Sequence, residues 1–224
     1  MEKSSKILYK MILGSSSYSR RQILSQMGYE FSIVTADIDE RSIRKDTPEE
    51  LVTVLAQAKA DAIAEKLKKS DQWKDLNTNI PTLLITADTV SKYSISLIDS
   101  TPILRKVVVY KGKVQEKPTS AGEARQFLEG YSGSHAAVVG SVLVTNLTSG
   151  VRKGSWERAE VYFHDIPSEV IEKLVDDEVT YKVAGGLRVE NPVASPYIES
   201  MVGNVDTIMG LPIALTHKLI EDAL

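Results

Sequence analysis

At 224 residues the chain suits one large domain or a domain with two lobes. Its 42% hydrophobic and 25% charged residues are those of a soluble globular protein. A net charge of −3 argues against a broad electrostatic footprint for nucleic acid, while leaving room for a local basic pocket that takes a small anion. With no cysteine there is neither a disulfide nor a thiolate metal site, and His135, His164 and His217 are too scattered for zinc. No apolar run reaches the roughly 18 residues that span a bilayer. The polar start, Met1 to Lys6, lacks the pattern of a secretory signal, so a cytoplasmic protein is expected.

Residues 10–14 read as a short apolar strand ending at Gly14. Ser15, Ser16 and Ser17 follow, and a helix is expected over 19–27, with Ile23, Leu24 and Met27 on one face and Gly28 as its stop. Small hydroxyl residues before a helix cap its free N–H groups, and such a terminus attracts phosphate. Arg20 and Arg21 add forked donors suited to phosphate oxygens. A strand–turn–helix junction with two solvated arginines fits these residues equally well. Residues 31–36 read as a second strand that delivers Asp37, Asp39 and Glu40. Thr47, Pro48, Glu49 and Glu50 form a strong helix start, and Leu51, Val54, Leu55, Ala58, Ala62 and Leu67 follow at helical spacing. Lys59, on this helix, reads locally as a solvated lysine or as a ligand.

After a polar loop over 70–81, residues 82–90 read as a strand covered on both faces. It ends in Asp88 and Thr89, where α/β folds bind ligands; a cap or turn role for Asp88 is the alternative. Residues 91–105 carry no period and read as a surface insertion. A hairpin is expected over 106–114, turning at Lys111 and Gly112, and then Pro118 holds Lys117 extended. A capped helix is expected over 120–130, long strands over 136–147 and 156–163, and a helix over 167–176. Residues 183–186 read as a flexible or close-packed loop, Glu190 as strand-like, 202–212 as loop, and 212–222 as a final helix opened by Pro212. The alternation gives an α/β or mixed α+β fold with one long, curved mixed sheet. There is no Walker loop, dinucleotide fingerprint or zinc-protease motif.

If Arg20, Arg21, Lys59 and Lys117 converge with Asp88, Glu190 and the acids near Glu40, cations hold a polyphosphate while carboxylates bind Mg²⁺ and activate water. The set resembles the Maf family of nucleoside triphosphate pyrophosphatases. Ser15 to Arg21 is similar to that family's Ser-x-Ser-Pro-Arg-Arg phosphate motif, Ala36 to Glu40 to its acidic turn, and Ala56 to Ala60 to its lysine-bearing helix. Ala87 to Val90 resembles the strand with the family's catalytic aspartate, and Glu116 to Pro118 its lysine–proline turn. Residues 132–135, 184–186 and 204–212 resemble later landmarks, so the resemblance spans nearly the whole chain apart from 91–105, as a single domain over 1–224.

The resemblance implies a Maf- and ITPase-like fold with a cleft between two lobes, and hydrolysis of an NTP to NMP and pyrophosphate in house-cleaning of non-canonical nucleotides. Asp88 is then the proton acceptor or positions water through Mg²⁺ (or Mn²⁺), with Glu40 as second metal carboxylate. Arg20, Arg21, Lys59 and Lys117 hold phosphates, and Ser15 and Ser17 donate hydroxyls or cap the helix. A nucleotide partner is implied, with no nucleic acid and no membrane; a homodimer comes from the resemblance alone. Tyr18 stands where the family has proline, and one extra residue separates Ser17 from Arg20, as in the subgroup acting on 7-methyl-GTP. Glu190 also matches that subgroup, where the dTTP/UTP subgroup has Gln. Thr89 matches the dTTP/UTP form, and Ser19 lacks the aromatic bulk of the methyl-GTP form. The balance leans to 7-methyl-GTP. A non-catalytic nucleotide-binding regulator is the alternative, and the insertion is either harmless or displaces the hairpin that presents Lys117.

Overall fold

The fold follows from three strands that are apolar on both faces. The computed structural model describes residues 9–71, 73, 80–93, 114, 115 and 117–224. Strands are β1 (Lys10–Leu13), β2 (Ser32–Ile33), β3 (Thr82–Tyr93), β4 (Val114–Gln115), β5 (His135–Asn146), β6 (Arg152–Phe163) and β7 (Ile198–Val202). Helices are α1 (Tyr18–Gln26), α2 (Pro48–Lys68), α3 (Ala121–Tyr131), α4 (Ser168–Val175), α5 (Val205–Met209) and α6 (Ile213–Ala223). The strands pair in the order β2-β1-β3-β5-β6-β7, with β4 on β3. β1 runs parallel to β2 and β3, while β3–β4 and β6–β7 are antiparallel, so the expected mixed sheet with helices is present.

The chain forms two compact units. The first comprises Met1–Asp88, Gly140–Glu157 and Met209–Leu224. In it, side chains alternate across the sheet as the two-residue strand period requires. Met11, Leu13, Leu83, Ile85, Ala87, Val142 and Val144 pack with Ile23 and Leu24 of α1 and with Leu219, Ile220 and Ala223 of α6. Ile12, Leu84 and Leu143, on the other face, pack with Ala56, Ala60, Ile63 and Leu67 of α2. Thr47 caps α2, its hydroxyl accepting from Glu50 N–H at 3.2 Å. Asn146 is buried and ties this unit together: its amide donates to Ala223 O at 2.9 Å, and its Oδ1 accepts from Thr148 and Ser149 N–H at 3.1 Å each.

The second unit comprises Thr89–Val139 and Arg158–Ile208. Its core joins Phe127, Leu128 and Tyr131 of α3 to Ile171 and Leu174 of α4 and to Val161 and Phe163 of β6. Arg125 and Glu172 link the two helices with paired hydrogen bonds of 2.6 Å. The loop around Gly185 is the close-packed alternative. Gly185 has φ 73°, accepts from Tyr131 Oη at 2.7 Å, and leaves no room for a Cβ, which would lie 2.8 Å from Ser91 Cβ.

Several expectations need correction. The second strand is two residues long; Val34 and Ala36 pack onto the α2-side core from irregular chain instead. β3 runs on to Tyr93, past the expected end at residue 90, and pairs Ser91 with Gln115. β6 begins at Arg152, four residues earlier than expected. Residues 202–212 hold helix α5, and Glu190 sits in a turn closed by Asn191 N–H on Arg188 O at 3.0 Å, not in a strand. The hairpin expected to turn at Lys111 and Gly112, the rest of the insertion and Glu116 lie outside the described residues. Among the described residues no helix is long and apolar enough to cross a membrane.

Candidate active site

Gly14 ends β1 by donating its N–H to Ile85 O at 2.7 Å, which locks the following turn to β3. Buried Ser15 turns its Oγ inward, accepting from Ser17 N–H at 3.2 Å and from Arg20 Nη1 at 3.3 Å. Ser17 is the N-cap of α1, its hydroxyl 3.5 Å from Arg20 N. Tyr18 is thus the first helical residue, 61% exposed, and Gln22 donates to its hydroxyl at 2.7 Å. Arg20 is fixed from the far end of the chain: its Nε donates to Gly210 O at 2.9 Å. Arg21 lies with its guanidinium carbon 5.9 Å from the Tyr18 ring centre, and its Nε is buried without a hydrogen-bond partner. A buried donor left open in this way suits an incoming oxygen acceptor.

The second half of the cluster lies on the α2 side of β3. Thr86 donates to Ala56 O at 2.9 Å, and two residues on, Asp88 reaches the same helix. Lys59 Nζ is 2.5 Å from Asp88 Oδ1 and 3.0 Å from Glu40 Oε1. Glu40 arrives on a short 3₁₀ turn, Glu40–Ser42, which Ser42 closes by donating to Asp39 O at 2.8 Å. The side chains of Lys59 and Asp88 are 12% and 9% exposed, that of Glu40 51%. Burial pushes the Asp88 carboxyl above its ordinary value, although Lys59 and Arg20 pull it back down. Burial pulls the Arg20 guanidinium down from its ordinary value, while Asp88 and Glu40 raise it. It stays charged throughout the working range.

The first unit therefore brings together Ser15, Ser17, Arg20, Glu40, Lys59 and Asp88. Ser19 sits partly buried in the first turn of α1. Thr89 follows Asp88 on β3, and successive strand residues face opposite sides. Lys117 and Glu190 belong to the second unit, where both are exposed. Two features carried no signal in the sequence. The Gly210 carbonyl that holds Arg20 lies 190 residues away along the chain. Arg188, whose Nε is also buried without a partner, stands alone in its loop and forms no motif.

Among the described residues no group of three or more His, Asp or Glu side chains is arranged to hold a metal. The Glu40–Asp88 pair fits Mg²⁺ nonetheless. That ion takes one or two carboxylates and completes its shell with waters and phosphate oxygens, and the pair already shares one cation.

A buried carboxylate on a central strand, paired with a fixed cation from the helix packed against it, defines the candidate site of this α/β fold. A family model described as Maf-like protein matches residues 10–223, and the chain belongs to that family. A 7-methyl-GTP pyrophosphatase of Dictyostelium discoideum is 34% identical over 94% of this chain and 95% of its own. A nucleoside triphosphate pyrophosphatase of Chlamydia muridarum is 33% identical, covering 95% and 93%. A dTTP/UTP pyrophosphatase of Syntrophus aciditrophicus is 29% identical, covering 95% and 89%.

Proposed function

We propose that this protein is a nucleoside triphosphate pyrophosphatase that hydrolyses an NTP to NMP and pyrophosphate. The observation that carries the reading is Asp88: a desolvated carboxylate on β3, paired with Lys59 and held in the field of Arg20. The relatives named above as pyrophosphatases support it over almost the full length of the chain.

In this reading a water oxygen bonds to the α-phosphorus, the bond from that phosphorus to the bridging oxygen breaks, and the electron pair leaves on pyrophosphate. Asp88 takes the water proton, a role typically worth about 10²–10⁴-fold in rate. Arg20 and Arg21 hold phosphate oxygens at the N-terminus of α1, where Ser15 and Ser17 keep the turn in shape. Lys59 and Lys117 add positive charge. Glu40 and Asp88 would hold Mg²⁺, which supplies Lewis-acid polarisation of the phosphoryl oxygens when bound. Glu190 presents a carboxylate acceptor to the two N–H donors on the Watson–Crick edge of guanine. With the Dictyostelium relative, this favours 7-methyl-GTP over dTTP or UTP.

Pyrophosphate release from dTTP, UTP, CTP, GTP and 7-methyl-GTP with Mg²⁺ tests the reading, with Asp88→Asn as control. Turnover in the wild type, lost in a folded Asp88→Asn variant, is expected. Nucleotide binding without turnover in the wild type would replace the enzyme by a nucleotide-binding regulator.

A further inference from the structure

Glu40 and Asp88 share a cation, and that cation is part of the protein. Lys59 comes from α2, Asp88 from β3 and Glu40 from a 3₁₀ turn, so three separate elements converge on one ammonium. Lys59 and Asp88 are both nearly buried, so water screens their attraction weakly. A divalent ion arriving alone must take both carboxylates from Lys59 and strand a desolvated ammonium without an acceptor, which is the costly way to break a buried pair. Arg20 offers no relief, because a guanidinium carries only donors and cannot accept from the ammonium. Nucleotide phosphates change the balance: they bring oxygen acceptors for the Lys59 N–H groups at the moment the carboxylates change partner.

We infer that Lys59 is a built-in counter-ion that makes the metal–nucleotide complex, and not the free metal ion, the species this site accepts. The inference rests on the pyrophosphatase reading and adds the form in which the substrate must arrive. Lys59 is a positioning residue before binding and a phosphate ligand after it.

Two measurements test it. Mn²⁺ binding without nucleotide, followed by electron paramagnetic resonance, is compared between wild type and Lys59→Met, with circular dichroism to verify folding. The variant is expected to bind Mn²⁺ about tenfold more tightly or better, because two carboxylates lose their internal cation. The gain should vanish in Lys59→Met/Glu40→Gln. Equal or weaker binding by folded Lys59→Met overturns the inference. The second measurement needs no variant: the ¹⁵N resonance of Lys59 Nζ should stay in place with millimolar Mg²⁺ alone and shift when Mg²⁺ and the α,β-methylene analogue of GTP are added together. The same shift with Mg²⁺ alone overturns it. If the wild type neither turns over nor binds any nucleotide, the pyrophosphatase reading fails, while the Mn²⁺ comparison still reports what Lys59 does.

Discussion

Gly14→Ala tests how tightly the phosphate-facing turn is tied to the core. A Cβ on Gly14 would lie 2.6 Å from Thr86 Cγ2, 2.7 Å from Ile63 Cδ1 and 3.2 Å from Ile85 O. Ordinary carbon contacts need about 3.5 Å or more, so roughly 0.8–0.9 Å of movement is required. Neither side chain can give easily: Ile63 is fully buried in the α2-side core, and Thr86 is tied to Ala56 O. The backbone is no softer, because Gly14 N–H bonds to the same Ile85 carbonyl that the methyl would crowd. Overpacking of this kind costs about 1–3 kcal/mol. For a chain of this size that is a fall in Tm of roughly 2–12 °C. The turn that carries Ser15 and Arg20 would shift by a similar fraction of an ångström to an ångström, and a 1 Å misplacement costs about 10²-fold in rate. Thermal melts and pyrophosphate release measure the two effects. A Gly14→Ala variant with wild-type Tm and kcat would refute both the packing argument and the placement of the site beside it.

Asp88 sets a pH signature. Its carboxyl is raised above 3.8, so in the folded protein it keeps its proton to higher pH than in the unfolded chain. Its own contribution therefore lowers stability as pH rises through that window, a slope that urea melts should find missing in Asp88→Asn. The ionised form needed for chemistry is lost as pH falls through the raised value, so the acid limb of kcat/KM should lie above the ordinary carboxylate range. Lys59→Met, by removing the largest downward pull, should move the limb of the residual activity further up. Asn146→Ala loses three hydrogen bonds at a buried position and should cost about 2–4 kcal/mol in urea melts, with little change in KM for the folded fraction. Glu190→Gln should move preference from 7-methyl-GTP toward dTTP and UTP by about tenfold or more in the kcat/KM ratio, and an unchanged ratio would remove Glu190 from base selection.

What could be read in the sequence was what local chemistry decides. Thr47 and Pro48 start α2, Ser120 caps α3, and the mainly apolar run before Asp88 is covered on both faces. Lys59 and Asp88, separated by 29 residues, meet because both stand on the α2 face of the sheet. That meeting follows from the motif order but not from the spacing. The failures have a common cause. Residues 31–36 look like a strand, yet only Ser32 and Ile33 pair with β1, since β-propensity does not say whether a partner edge is present. Glu190 looked strand-like until the Arg188–Asn191 turn overrode it, and the short helix α5 lacks the length that makes a period visible.

Neither compact unit is a continuous stretch of chain. The first needs residues 209–224 as much as 9–88: Leu211, Leu219, Ile220 and Ala223 complete the core beneath α1, and Gly210 supplies the acceptor for Arg20. During synthesis, then, the phosphate turn is made well before its anchor: Arg20 waits for Gly210, 190 residues later. A chain cut short between Asp88 and Gly210 retains every serine, arginine and carboxylate of the first-unit cluster, but it lacks the carbonyl that aims one of them.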